Sequence, residues 1–280
     1  MDYTDNHMHI DPLAGEGIGA VKKFERVGGR YILLVNKMTR DWGLGLKGVG
    51  EFETLYQKTI ELAREIESRT PVRVFPVLGI HPAEFVHMCE TFGMKRAMDI
   101  GKGAIKTVKV LVEEGMAHAI GEVGRPHFPV GDEYLEACNE LTRFAMEKAA
   151  EVDCAIQLHT ESIEEGVFEE FAAMAKEAGL RPERVVKHYS PPFISQGETT
   201  GIFPSLIASK GNILTALKDG RRFLMESDYI DDLRRPGAVV GPRSVPRVSK
   251  YLLEAGLISE ADLEKIHIDN VERVYRIELG

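Results

Sequence analysis

Cysteine is scarce in this 280-residue chain. Its three copies, Cys89, Cys138 and Cys154, form no paired metal-type spacing and are odd in number, which excludes a disulfide framework or a cysteine-held metal as an expectation. They read as structural thiols of a reducing compartment. No apolar run approaches the roughly 20 residues that a membrane-spanning helix needs, and the polar N-terminus lacks the basic-then-apolar order of a secretory signal. A cytoplasmic protein with no membrane partner is expected. Positive charge is in deficit, with 35 Lys and Arg against 44 Asp and Glu and a net charge of −9, so the surface should repel extended duplex nucleic acid. Repeats, linkers and low-complexity segments are missing too, and residues 1–280 are expected to form a single domain.

What the chain does contain is a series of short apolar strands. Near the N-terminus, Thr4-Asp5-Asn6-His7-Met8-His9-Ile10 suits a strand, and alternation then turns His7 and His9 to one face and Met8 to the other. Further strands are expected at 31–35, 72–80, 117–123, 155–159, 185–188, 211–216 and 223–228. Helices are expected at 21–26, 51–68, 105–114, 132–152 and 164–178, with a helical segment near 202–210. Asn36 to Gly50 reads as a long loop carrying Trp42, the only tryptophan. Ser259-x-x-Asp262 opens a closing helix with a variant capping box. Eight strands mostly separated by helices imply an α/β chain folded as a TIM-type (β/α)8 barrel, for which about 250 residues suffice. About seven residues between the last two strands leave little room for a crossover helix, so the seventh helix is expected to be short or missing. A doubly wound open sheet is the alternative, but the Gly-x-Gly pairs lack its strand-to-helix phosphate-loop context.

Polar residues interrupt these strands at their C-terminal ends: His7 and His9, His81, Glu122, His159, His188 and Asp228. In a barrel those ends converge on one face, where such enzymes keep their active sites. His7, His9, His159 and His188 can offer neutral imidazole nitrogens, and Glu122 can bridge two ions through its two oxygens. Two divalent ions roughly 3.5–4 Å apart can hold a shared water and lower its pKa from about 15.7 to about 7. Asp228 can bind one ion and take the proton of that water. Glu226, two residues earlier, should face inward one layer deeper and support a ligand. His81 is expected on the substrate side. His87, His118, His127 and His267 are expected to stay outside the site, with His127 lying nearest to it.

Taken together, His7-Met8-His9, Gly79-Ile80-His81-Pro82, Gly121-Glu122-Val123-Gly124, Gln157-Leu158-His159, Val186-Lys187-His188 and Glu226-Ser227-Asp228 resemble the TatD-related hydrolases of the amidohydrolase superfamily. The resemblance extends weakly to residues 270–275 and so spans nearly the whole chain. It implies two divalent metals and hydrolysis of phosphoester bonds, often in DNA. On that pattern His7, His9, Glu122 and Asp228 would hold one ion, and Glu122, His159 and His188 the other. Tyr189-Ser190-Pro191-Pro192 departs from the family's small residue and Phe after the sixth-strand histidine. The segment after Asp228 and the 36–50 loop also differ, which leaves the substrate less secure than the metal site.

The sequence therefore points to a dinuclear metal-dependent hydrolase in which a metal-bridged hydroxide attacks a phosphoester. Zinc suits four histidines, while manganese and magnesium stay open. Carboxylic ester, lactone or amide hydrolysis on the same metals is the alternative, and a metal-holding barrel without turnover is a third reading that Asp228 argues against. After strand eight, Arg234, Arg235, Arg243, Arg247 and Lys250 make a locally basic segment. Arg234 and Arg235, with Arg125 after strand four, are expected to grip a substrate phosphate. The matching partner is a small phosphoester or a short single strand.

Overall fold

The computed structural model describes residues 1–161 and 166–280. In chain order these form β1 (Tyr3–His9), α1 (Ile18–Glu25), β2 (Gly29–Val35), α2 (Val49–Arg69), β3 (Arg73–Leu78), α3 (Pro82–Phe92), α4 (Met94–Glu113) and β4 (Ala119–Gly124). Then come α5 (Asp132–Val152), β5 (Ala155–His159), α6 (Val167–Glu177), β6 (Val185–Lys187), α7 (Ile194–Thr200), β7 (Phe203–Ile207) and α8 (Lys210–Asp219). The chain ends with β8 (Leu224–Glu226), β9 (Tyr229–Ile230), α9 (Ser244–Glu254), α10 (Glu260–Glu264) and α11 (Asn270–Tyr275). All strand pairs are parallel, in the order β8-β7-β6-β5-β4-β3-β2-β1-β9. Only Ser227 and Asp228 separate β8 from β9, so these are two halves of one broken strand. The first half pairs with β7 and the second with β1. The sheet thereby curls into a TIM-type barrel, as the strand pattern implied.

Strand alternation divides the core. Leu33, Val35, Phe75, Val77, Val186 and Phe203 fill the barrel interior, which Val271, Val274 and Tyr275 of α11 close from below. Ile32 and Leu34 turn outward against α1 and α2. Each such buried aliphatic or aromatic side chain contributes roughly 1.5–3 kcal/mol, and facing apolar layers on both sides explain why these strands read as continuous hydrophobic runs. Among the described residues no helix is long and apolar enough to cross a membrane.

Several sequence expectations need correction. The seventh strand is β7 at 203–207, not 211–216, and the expected helical segment and strand are exchanged. Pro204 and Ser205 disguised the strand. Residues 211–216 lie within α8, which starts where the Ser209 side chain accepts the Asn212 N–H. Its buried Ile213 and Ala216 have helical spacing. The seventh helix is thus present, at ten residues. The helix expected at 105–114 is the end of α4, and α3 precedes it, with Gly93 at the break (φ +80°). Arg247 and Lys250 sit on α9 and not in a loop. The first two residues of the helix expected at 164–178 lie outside the described residues. The 36–50 segment contains a 3-10 turn, Thr39–Trp42, whose Thr39 N–H and Oγ donate to buried Glu84.

His267 is structural, as expected. It is buried, accepts the Thr4 N–H at Nδ1 (3.3 Å) and meets Ser249 Oγ through Nε2 (2.8 Å), tying β1 to the closing helices. Burial pushes its pKa from 6.5 down to about 4. The folded state therefore requires the neutral ring, and this contribution to stability is complete above pH 6.5 and declines as pH falls towards 4. In metal-free protein, His267→Gln should give a shallower fall in melting temperature over that window, followed by circular dichroism. An unchanged slope in a folded variant would refute the assignment.

Candidate metal centre

The strand ends bring His7, His9, Glu122, His159, His188 and Asp228 together. Glu122 lies at the middle and is buried. Its Oε1 is 3.4 Å from His7 Nε2, 3.2 Å from His188 Nε2 and 3.2 Å from His159 Nδ1. Its Oε2 is 3.9 Å from His9 Nε2. Asp228 Oδ1 stands 3.9 Å from His7 Nε2 and 3.8 Å from His9 Nε2. Two close backbone approaches hold the Glu122 strand in place. A Cβ on Gly79 would fall 2.7 Å from the Gly121 carbonyl carbon, and one on Gly124 (φ +135°) only 2.0 Å from the His159 carbonyl oxygen.

Hydrogen bonding on the far side of each ring fixes its proton. His9 Nδ1 faces the Val35 carbonyl (3.1 Å) and must donate to it. His188 Nδ1 faces Glu226 Oε1 (2.9 Å), which also accepts the Tyr189 N–H. His7 Nδ1 faces Gln157 Oε1 (2.8 Å), and the orientation of that amide is set because Gln157 Nε2 donates to the Asn6 carbonyl. In all three rings the proton sits on Nδ1 and the Nε2 lone pair points at Glu122. His7 Nε2 and His9 Nε2 are 3.1 Å apart, so two lone pairs face each other beside a carboxylate. Three imidazole lone pairs, from His7, His9 and His188, converging on one carboxylate are what a divalent cation satisfies. Burial pushes His7 down to about 3, His9 downward and His188 well below its ordinary value. The rings therefore stay neutral and available to a cation.

His81 has the opposite tautomer. It caps α3, accepting the Ala83 N–H at Nδ1 (3.0 Å), so the neutral ring carries its proton on Nε2, 4.0 Å from Glu122 Oε2. Proximity alone groups His81 with Glu122 and His159 as a trio able to hold an ion. The capping bond instead makes His81 a donor into the cavity. Glu226 touches His188 and Tyr189 through one oxygen and Ser205 through the other, one layer below Asp228 as its offset required.

A cavity of about 850 Å³ opens over this cluster. The expected phosphate grip is only partly there. Arg125 is 5% exposed and turns away into the helix layer, with Nε on Asn139 of α5 (2.6 Å), Nη1 on Glu161 (3.2 Å) and both Nη atoms on Glu170 of α6. Arg234 is committed to Asp232 through Nε and Nη2. Arg235 also bonds Asp232 but lines the cavity. His127, expected to stay outside, lines the cavity and places Nδ1 2.9 Å from His159 Nε2. Gln157, two residues before His159 and so on the same inward face, is the partner of His7.

A parallel barrel with a buried carboxylate among imidazoles at its strand ends defines a metal-dependent hydrolase. Residues 4–276 match the TatD related DNase family, and the chain belongs to it. It is 42% identical over 278 residues to an uncharacterized protein of Methanocaldococcus jannaschii, covering 99% of this chain and 96% of that one. Among solved structures it is similar to the TatD homolog YJJV of Escherichia coli K12, with TM-score 0.69, 16% identity and 98% of each chain covered. It is also similar to the Escherichia coli phosphotriesterase homology protein complexed with phosphate in its active site, with TM-score 0.64, 14% identity and 98% of each chain covered.

The tautomers separate ligands from neighbours. In zinc or manganese titrations of metal-free protein, His188→Ala should weaken binding severely, and Glu226→Gln by about 10–100-fold. His81→Ala and the distant control His118→Ala should leave affinity unchanged. A loss in His81→Ala equal to that in His188→Ala would reverse the tautomer assignment.

Proposed function

We propose that this chain is a dinuclear phosphoesterase acting on small phosphoesters or the end of a short single strand. The observation that carries the proposal is Glu122, whose two oxygens lie among the ring nitrogens of His7, His9, His159 and His188, with Asp228 beside His7 and His9. His7, His9, Glu122 and Asp228 would hold one ion, and Glu122, His159 and His188 the other. Zinc fits the imidazoles best, while the two carboxylates also suit manganese or magnesium. When bound, such ions polarise the phosphoryl oxygens and lower the pKa of a shared water to about 7.

The remaining roles belong to the chain. Asp228 is the base. Its Oδ1 stands 3.8–3.9 Å from His7 Nε2 and His9 Nε2, at the rim where a shared water would be held, which is where a proton acceptor is needed during turnover. His81 aims Nε2–H at the cavity and donates to the phosphoryl or leaving oxygen, held in that orientation by its cap on α3. Glu226 and Gln157 keep His188 and His7 from turning. Arg235 is the member of the expected phosphate grip that faces the cavity. Hydrolysis of a carboxylic ester, lactone or amide is the second reading, favoured by the commitment of Arg125 and Arg234 to carboxylates elsewhere.

The test is a panel of chromogenic phosphomonoesters, phosphodiesters, carboxylic esters and lactones, run with zinc, manganese and magnesium on protein of measured metal content. We expect close to two ions per chain and preferential turnover of phosphoesters. Asp228→Asn should lower kcat by about 100-fold or more, the scale of positioned acid–base catalysis, with ions still bound at the His159 side. Turnover confined to carboxylic esters would replace the phosphoester assignment. An Asp228→Asn enzyme with unchanged kcat and pH profile would remove the base.

A further inference from the structure

The lining of the cavity mouth is uneven, with Arg40, Lys37 and Asp41 after β2, and Phe128 and Tyr189 across from them near Glu161. Arg40 follows β2, and Arg235 follows β9, which pairs with β1, so both guanidinium groups lie on the arc from β8 through β1 to β2. On the opposite arc, Phe128 follows β4, Tyr189 follows β6 and Ile207 ends β7. The strand-end cluster of His9, Glu122, His159, His188 and Asp228 lies between the two arcs. A substrate anion is drawn towards the first arc, which leaves the substituent on the ester oxygen against the second.

Phe128 and Tyr189 are 40% and 54% exposed, although burying such rings is favourable. Both are held where they stand. Tyr189 has φ +50°, a conformation costly for a residue with a side chain, and its N–H donates to the Glu226 oxygen that also accepts from His188 (2.7 Å). Phe128 stands edge-on to His127 (5.5 Å between ring centres, 90°), and the His127 ring is 5.1 Å from that of His159. The Tyr189 ring itself stands edge-on to that of His188 (5.9 Å between ring centres, 73°), so each exposed ring lies against or next to a strand-end imidazole.

We propose that Phe128 and Tyr189 form the wall that receives a flat ring of the substrate, so that the preferred substrates are phosphoesters bearing an aromatic or heteroaromatic substituent. This rests on the phosphoester reading of the same site. Aromatic side chains take such rings in offset or edge-on contact without demanding a particular hydrogen-bond pattern, which selects for ring over alkyl and not for one ring over another.

Calorimetric titration of the metal-loaded protein with phenylphosphonate and methylphosphonate tests this without turnover, because the carbon–phosphorus bond is not hydrolysed. Phenylphosphonate should bind about tenfold more tightly. Phe128→Ala and Tyr189→Ala should each reduce the phenyl-to-methyl preference by about two- to tenfold, the scale of one aromatic pair, while Tyr189→Phe retains it. Equal affinity for both phosphonates in the parent protein, or an unchanged preference in both alanine variants, would overturn the ring wall and leave the phosphoester reading standing. Binding of neither phosphonate, together with turnover of carboxylic esters, would remove the phosphoester reading and this inference with it.

Discussion

The interaction on which the site depends is the donation of Nδ1–H by His7, His9 and His188 to acceptors beneath and beside the strand ends. A neutral imidazole has one lone pair, and these three bonds decide where it points. The acceptors differ in kind: a side-chain amide on β5, a backbone carbonyl on β2 and a carboxylate on β8. They have the same consequence, since each leaves Nε2 facing Glu122. Reversing any one tautomer would put a proton where a cation is to be held. The same reasoning excludes His81 as an equivalent ligand, because an amide N–H already occupies its other nitrogen.

Holding three lone pairs and two carboxylates together in a buried place costs electrostatic free energy, and the barrel supplies the rigidity that sustains it. Glycine at 79 and 124 lets β3, β4 and β5 approach so closely that no side chain fits between them. Below the imidazoles, Gln157 also bonds Tyr275 of α11, and Ser205 links Glu226 to Asn6 of β1. These bonds join strands distant in sequence, so the chain must complete the barrel before the cluster is formed. His267 adds a further tie between β1 and the C-terminal helices.

Much of this was legible in the sequence because parallel barrel strands end on one face, so a polar residue that terminates an apolar run is informative. Glu122, His159, His188 and Asp228 end or directly follow such runs, and Glu226 lies two residues before Asp228. The same offset applied to His159 would have identified Gln157. What sequence pattern could not resolve was direction away from the strands. Arg125 follows the same strand as Glu122, yet its long side chain folds back to α5 and α6, where Asn139 and Glu170 await it. Which way an arginine turns depends on carboxylates far along the chain. Strand seven was misread for a local reason: Pro204 and Ser205 look unlike a buried strand, while Gly211-Asn212-Ile213-Leu214 does not reveal a helix until the Ser209 cap is seen.

Two strained residues connect the frame to the chemistry. Tyr189 and Asp228 both carry side chains at positive φ, near +50° and +46°, where each costs on the order of 1 kcal/mol or more relative to ordinary backbone. Both directly follow a strand-end segment, and both have their N–H captured: Tyr189 by Glu226, and Asp228 by the His7 carbonyl (3.0 Å). At Asp228 this turn breaks the last strand in two, brings the carboxylate alongside the imidazoles of β1, and still lets β9 pair with β1 to close the barrel. Closure of the sheet and placement of the Asp228 carboxylate beside the imidazoles are therefore one structural event, and the backbone strain at Asp228 is localised at the turn that achieves both.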